Sequence, residues 1–198
     1  LVDLQARNLG EAQADVSIRG GIFENTGFRI GGVSLYDPQT GHYLAEIPVP
    51  PSMLGAPAIL VGADNATLGF NANAGTVAYT WQPIENRGGV GVAFGPHHYN
   101  RQNFYAGRVQ SLSGNRQFGA DVEVARSESD GSIAFGDHHF DRVAGRMQLR
   151  DASSQTDLFA GYQAKFFGWP NLYTPFNSAE TENLKTLLLA LNHRVDLT

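Results

Sequence analysis

Period-two alternation, repeated in segment after segment from residue 88 to residue 166, is the feature that most narrows what this chain can fold into. Residues 88–94 set Val90, Val92 and Phe94 against Gly89, Gly91 and Ala93. Residues 117–125 set Phe118, Ala120, Val122 and Val124 against Gly119, Asp121 and Glu123. Residues 142–150 repeat the pattern with Val143, Gly145, Met147 and Leu149 against Arg142, Arg146, Gln148 and Arg150. Residues 157–166 set Leu158, Ala160, Tyr162, Ala164 and Phe166 against Asp157, Gln163 and Lys165. Residues 103–112 are less regular, with Tyr105, Gly107 and Val109 on the expected apolar face. Successive side chains of a strand point to opposite faces, so each segment reads as a strand with one apolar and one polar side.

The connections sort the strands further. Ser113-Gly114-Asn115 joins the second to the third, and Asp151-Ala152-Ser153-Ser154-Gln155 the fourth to the fifth. The alternate connections 127–139 and 167–183 are longer. Short turns on one rim and long loops on the other are the layout of an outer-membrane barrel, which 95–102, only modest in length, fits less well. Residues 184–195 carry Leu184, Leu187, Leu188 and Leu191 at helical spacing, and intrinsic preference leans the same way. An alternating sheet that stopped before them would leave an edge needing a partner, so they are assigned as a sixth strand.

Composition removes several classes. With 23 glycines and only 17% charged residues, the chain is neither disordered nor a helical bundle. A net charge of −5 provides no electrostatic footprint for nucleic acid. The absence of cysteine excludes disulfides, thiolate metal sites and cysteine nucleophiles. The longest apolar run, residues 187–191, is far short of the roughly 20 residues of a membrane-spanning helix. A membrane β-barrel stays open, because its strands give only a weak hydropathy signal.

Ahead of the alternating strands, residues 15–81 read as a compact, loop-rich β unit. Val16-Ser17-Ile18-Arg19 closes at Gly20-Gly21, and Phe28-Arg29-Ile30 and Val33-Ser34-Leu35-Tyr36 flank the corner Gly31-Gly32. Prolines at 38, 48, 50 and 51 forbid ladder pairing there, which predicts a loop with one helical turn near 43–46. Residues 58–61 are expected as a buried strand and 76–80 as another, with the glycines and asparagines of 62–75 turning the chain between them. Residues 1–14 fit a strand or a broken turn.

In order and spacing, Ser17-Ile18-Arg19-Gly20, Gly32-Val33, Asp37-Pro38-Gln39-Thr40-Gly41-His42, Ile47-Pro48-Val49, Leu68-Gly69-Phe70 and Ala74-Gly75-Thr76-Val77 resemble the plug domain of TonB-dependent outer-membrane receptors. The resemblance implies a mainly β chain. Residues 1–84 would be a small mixed plug, truncated at its N-terminus. Residues 85–198 would be the first strands, about six, of an incomplete antiparallel transmembrane barrel that such transporters close with about twenty-two. It implies energy-coupled uptake of a scarce ligand such as an iron chelate, haem or cobalamin, in the bacterial outer membrane. The implied partners are the inner-membrane TonB complex, a small extracellular ligand and outer-membrane lipid. No cofactor and no covalent chemistry are implied. Plugs of this family usually carry a Glu and then an Arg-Gly where this chain has Ala58 and Val61-Gly62. Those charges help pin plug to barrel, and Arg19 and Glu46 are the candidates for that contact here.

Residue by residue, catalytic chemistry is thinly represented. No zinc-protease helix motif, phosphate-binding loop or nucleophile elbow is present, so the chain is not expected to be an enzyme. Gly88-Gly89-Val90-Gly91 lies inside an alternating strand, where small residues permit curvature and close packing. His97 and His98, followed by Tyr99, and His138 and His139, preceded by Asp137, fall on neighbouring long connections. Imidazoles there suit a metal chelate or haem, or are solvated loop side chains; at most one of each pair can face a lumen. Trp169, Tyr173 and Phe176 form an aromatic group that serves an apolar ligand, anchors a loop or belongs to a membrane-surface girdle. Asp121 and Glu123, with Arg142, Arg146 and Arg150, need only line a wet or plugged lumen. Two rivals remain: a soluble β-rich binding or adhesin module, whose apolar faces would pack on a second sheet, and an enzyme with a histidine–Asp137 metal centre.

Overall fold

The computed structural model describes residues 2–6, 14–36, 47–171, 174–176 and 179–197. The motif at 37–42, the helical turn expected at 43–46, Glu46 and Tyr173 lie outside the described residues. The N-terminal part holds β1 (Val2–Ala6), β2 (Ala14–Ile18), β3 (Thr26–Ile30), β4 (Val33–Leu35), β5 (Ala58–Leu60), a short helix α1 (Ala63–Leu68) and β6 (Gly75–Tyr79). β1 and β2 form a two-stranded sheet, and β4-β3-β6-β5 a four-stranded one. β3 and β6 run parallel within it; the other neighbours are antiparallel. The β3–β4 hairpin turns at Gly31, whose φ of 56° suits glycine.

Two expectations for this part are corrected. β5 is an exposed edge strand, not a buried one: Ile59 is 38% accessible. The stretch 62–75 contains α1, which the glycines and asparagines concealed. Its Asn65 ties the helix to the chain that follows, donating to the Ala72 carbonyl at 2.7 Å and accepting from the Thr76 hydroxyl at 2.6 Å.

The C-terminal part is one open antiparallel meander: β7 (Arg87–Phe94), β8 (Asn100–Ser111), β9 (Gln117–Ser129), β10 (His138–Arg150), β11 (Ser154–Gly168) and β12 (Thr181–Val195). β12 settles the choice between helix and strand, pairing with β11 from Ser154↔Val195 to Gly168↔Thr181. β9 to β12 have 13 to 15 residues each, more than the roughly 9–11 a tilted transmembrane strand needs. The strands outrun their alternating apolar stretches because the ladder satisfies backbone groups whatever side chains it carries. His138 and His139 therefore sit on β10, paired with Ser129 and Glu128, and not in a loop.

Alternation separates two faces of opposite character. Asp121 (5%), Arg146 (3%) and Asp157 (0%) are buried, whereas Val90 (76%), Leu187 (68%) and Leu189 (69%) lie bare. Water-soluble sheets bury the apolar side; this one buries the polar side. Tyr105, Gly107 and Val109, expected on the apolar face, belong to the polar one, paired with Glu123, Asp121 and Gly119. The Tyr105 hydroxyl donates to Asp121 at 3.1 Å while the Arg87 guanidinium lies 5.0 Å over its ring, so its polar tip decides its side.

The N-terminal part packs on the polar face. A shared apolar core draws Ile18, Ile30, Met53 and Trp81 from it and Phe159, Ala144 and Ala190 from the sheet. The Trp81 and Phe159 rings are 5.1 Å apart. Small residues permit the approach: a Cβ at Gly161 would overlap the Pro48 carbonyl oxygen, and one at Gly119 would come within 2.9 Å of the Ile84 Cβ. Gly161→Val is expected to destabilise the full-length protein by about 1–3 kcal/mol through overpacking and to expose residues 47–84 to protease. Ala160→Val, one residue away on the bare face, should do neither; equal protection in both variants would refute this docking.

Candidate functional site

Docking rests on a buried polar network. Arg146 on β10 donates to both oxygens of Asp121 on β9, at 3.2 and 2.7 Å, and its Nη1 lies 3.7 Å from Asp157 Oδ1 on β11. The same Nη1 donates to the Gln82 carbonyl at 2.8 Å and approaches the Met53 carbonyl at 3.4 Å. Gln148 Nε2 donates to Gln82 O at 3.1 Å and to Asp157 at 2.7 Å, and its carbonyl accepts from Ile84 N at 3.0 Å. Gln155 bridges Asp157, at 2.8 Å, to the Trp81 carbonyl, at 3.4 Å. Nearer the long-loop rim, Glu123 accepts from Ser52 Oγ at 2.5 Å and from Arg142 Nη2 at 2.7 Å. At the other end, Asn192 Oδ1 accepts from Gly32 N at 2.6 Å. Strand side chains thus grip mostly main-chain groups of residues 32, 53 and 81–84.

Toward the long-loop rim the two parts diverge and leave a cavity of about 830 Å³. Ile47, Val49, Leu54 and Pro57 wall it on the N-terminal side. Tyr99, Arg101, Phe140, Arg142 and Gln163 wall it on the sheet side, with His97 at the β7–β8 turn. That volume is in the range of sites for small organic ligands. Tyr79 also lines the cavity, and burial pushes its hydroxyl pKa up, so it is a neutral donor at neutral pH.

No family model matches the chain, and no curated protein sequence does. A solved structure shares its fold. FpvA of P. aeruginosa, solved with a heterologous pyoverdine and iron, superposes with a TM-score of 0.64 over 99% of this chain. Identity is 14%, so the likeness is one of fold alone, and this chain spans 28% of that one.

The structure distributes the sequence-selected residues unevenly. His97 and Tyr99 line the cavity, and the His138 ring lies 6.2 Å from Tyr99, buried, with Nε2 3.1 Å from Ser127 Oγ. His139 takes the opposite face of β10, 2.6 Å from Asp141 and 3.7 Å from Glu128. Trp169 packs on Phe167 at 6.2 Å, beyond the described cavity wall. Among the described residues no three His, Asp or Glu side chains are set to hold a metal ion. Arg19 is exposed in the turn after β2, with φ 55°. The cavity residues Arg101, Phe140 and Arg142 and the anchor Arg146 were not singled out as binding groups. Their signal, cations and aromatics on the polar face near the long-loop end of a strand, was present in the alternation.

At the cavity mouth the β7–β8 and β9–β10 connections are tied together. Asp130 N and Ser129 Oγ donate to the His97 carbonyl at 2.9 and 3.0 Å, and the His98 imidazole is hydrogen-bonded to Asp130. That bond, reinforced by the Asp130 charge, raises the His98 pKa above its ordinary 6.5. A raised folded-state value means the ionic tie is complete below the ordinary pKa and is lost as pH rises through the raised one. Amide exchange at 97–99 and 129–131, corrected for intrinsic rates, should accelerate over that rise in the native protein and lose the step in Asp130→Asn. An identical profile in both would remove the tie.

A second expectation concerns the anchor. Arg146→Met leaves Asp121 and Asp157 buried without their cation, and is expected to cost about 3–5 kcal/mol and to free residues 81–84. Thermal unfolding and cleavage within 81–87 of the full-length protein check it; a loss below about 1 kcal/mol would mean the network carries little.

Proposed function

We propose that this chain is the plug, residues 1–84, and the opening barrel strands, residues 85–198, of a TonB-dependent outer-membrane receptor. The receptor would take up a scarce small ligand, such as an iron chelate, haem or cobalamin, through energy-coupled movement of the plug. One observation carries the reading. The meander buries its charged face against the N-terminal part and leaves its apolar face bare, an arrangement that lowers free energy when the bare face meets lipid. The fold of FpvA, a TonB-dependent receptor solved with bound pyoverdine and iron, supports it. So does the resemblance of residues 17–77 to plugs of that family.

On this reading the chain's own groups do three things. Val90, Val124, Val143, Leu187 and Leu189 face acyl chains. Arg146, Gln148 and Gln155 hold main-chain carbonyls of 53 and 81–82, bonds that single residues can release without unfolding a sheet. The cavity at the long-loop rim receives ligand from outside, and the TonB complex of the inner membrane pulls from the opposite side. No step is enzymatic.

A soluble β-rich binding or adhesin module is the second reading; it requires a second sheet or another protein over the bare face. Fractionation separates the two. The full-length product, made in a Gram-negative host, should sediment with outer membranes. A cysteine introduced as Leu189→Cys should resist a water-soluble maleimide in those membranes and react with a lipid-soluble one. Recovery as a soluble protein whose Leu189→Cys variant labels from water would reject the receptor.

A further inference from the structure

We infer that the cavity is built for an organic anion: one carboxylate, sulfonate or phosphate head on an apolar, ring-bearing body. The inference rests on the receptor reading for its place in uptake, and on the cavity walls for its chemistry. Two guanidiniums, Arg101 and Arg142, line the cavity, and among the described lining residues there is no aspartate or glutamate. Low-dielectric walls with cations of one sign concentrate an anion and repel a cation. Most of the remaining wall is apolar or aromatic, from Val49, Leu54 and Pro57 across to Tyr99 and Phe140. Such a wall accommodates a hydrocarbon or ring body, with Tyr79, Ser132 and Gln163 as hydrogen-bonding groups along it.

Arg142 is the anchor that the geometry singles out. Its side chain is 11% exposed, its guanidinium lies 5.4 Å over the Phe140 ring, and its Nη2 is held by Glu123. Its Nε is buried with no acceptor among the described residues. An arginine has five donors, and the one acid behind Arg142 leaves donors for a second acceptor where its side chain lines the cavity. A bound anion then competes with Glu123 for the guanidinium. Glu123 is also the acceptor of Ser52 Oγ from the N-terminal part, so occupancy of the cavity is felt at the docking interface.

Two probes that share one body test this: 2-naphthoate and its neutral amide, 2-naphthamide. Their affinities for the purified full-length protein in detergent are read by ligand-observed NMR. The anion should bind about tenfold or more tightly than the amide, the worth of a charge-assisted hydrogen bond. Arg142→Gln should bring the two to parity while amide binding persists. Glu123→Gln removes the competing acid and keeps an acceptor for Ser52, so it should tighten naphthoate by about threefold or more and leave the amide unchanged. Equal affinity of the two probes, absence of naphthoate binding, or an anion preference that survives Arg142→Gln overturns the inference. Should Arg142→Gln fail to fold, an unchanged naphthoate affinity in Glu123→Gln overturns it by itself. Fractionation fails independently: a soluble product that still prefers naphthoate sinks the receptor and spares the anion site, and a membrane product that binds both probes equally does the reverse.

Discussion

The structure depends on a guanidinium held between two acids inside a sheet. Arg146, with Asp121 and Asp157, stands on the face of the meander that is hidden from water, and each of these side chains is nearly inaccessible. Two carboxylates and one arginine do not balance in charge, and a buried set of this kind is stable only where its remaining valences are met by hydrogen bonds. The carbonyls of Gln82 and Met53 and the amides of Gln148 and Gln155 meet them. The sheet face and the segment lying on it are therefore mutually required: neither satisfies its polar groups without the other.

From that constraint the rest of the architecture follows. A sheet whose polar side is covered must expose its apolar side, and the run Phe118, Val122, Val124 with its neighbours Val143, Met147 and Leu149 is left bare. Glycines and alanines on the covered side, Gly119, Ala144, Gly161 and Ala190 among them, let the N-terminal part lie close enough for main-chain carbonyls to be reached. Close approach ends toward the long-loop rim. There the cavity opens between Ile47, Val49, Leu54 and Pro57 on one side and the strands on the other, with Arg142 between it and the docked Glu123.

The strand pattern was legible because it is a local property. Period two survives in the bare sequence, and the faces of 117–125, 142–150 and 157–166 were assigned as the structure has them. Where a residue carries both characters, the pattern misled. Tyr105 was grouped with the apolar side because its ring outweighs its hydroxyl on any hydropathy scale, yet Asp121 and Arg87 claim it. The histidines were legible as pairs and not as partners. β10 sends His138 to one side, against Ser127 of β9, and His139 to the other, against Asp141 of β10 itself and Glu128 of β9. Arg146 and Gln148 were legible as polar-face residues and not as anchors. Arg146, Gln148 and Gln155 bind carbonyl oxygens, which every residue possesses, so nothing at positions 53, 81 and 82 marks them as targets.

The sequence by itself determined that this is a β chain, with four cleanly alternating segments and, on 117–125, 142–150 and 157–166, the polar face of each strand. Those follow from the geometry of extended backbone, which the order of side chains reports directly. Only the tertiary structure decided which face is hidden, because burial depends on what lies opposite. Only it decided where a cavity exists, because the walls come from stretches as far apart as Val49 and Gln163. Inside and outside belong to the arrangement of segments in space, and Arg146 finds its acceptors 64 and 93 residues away along the chain.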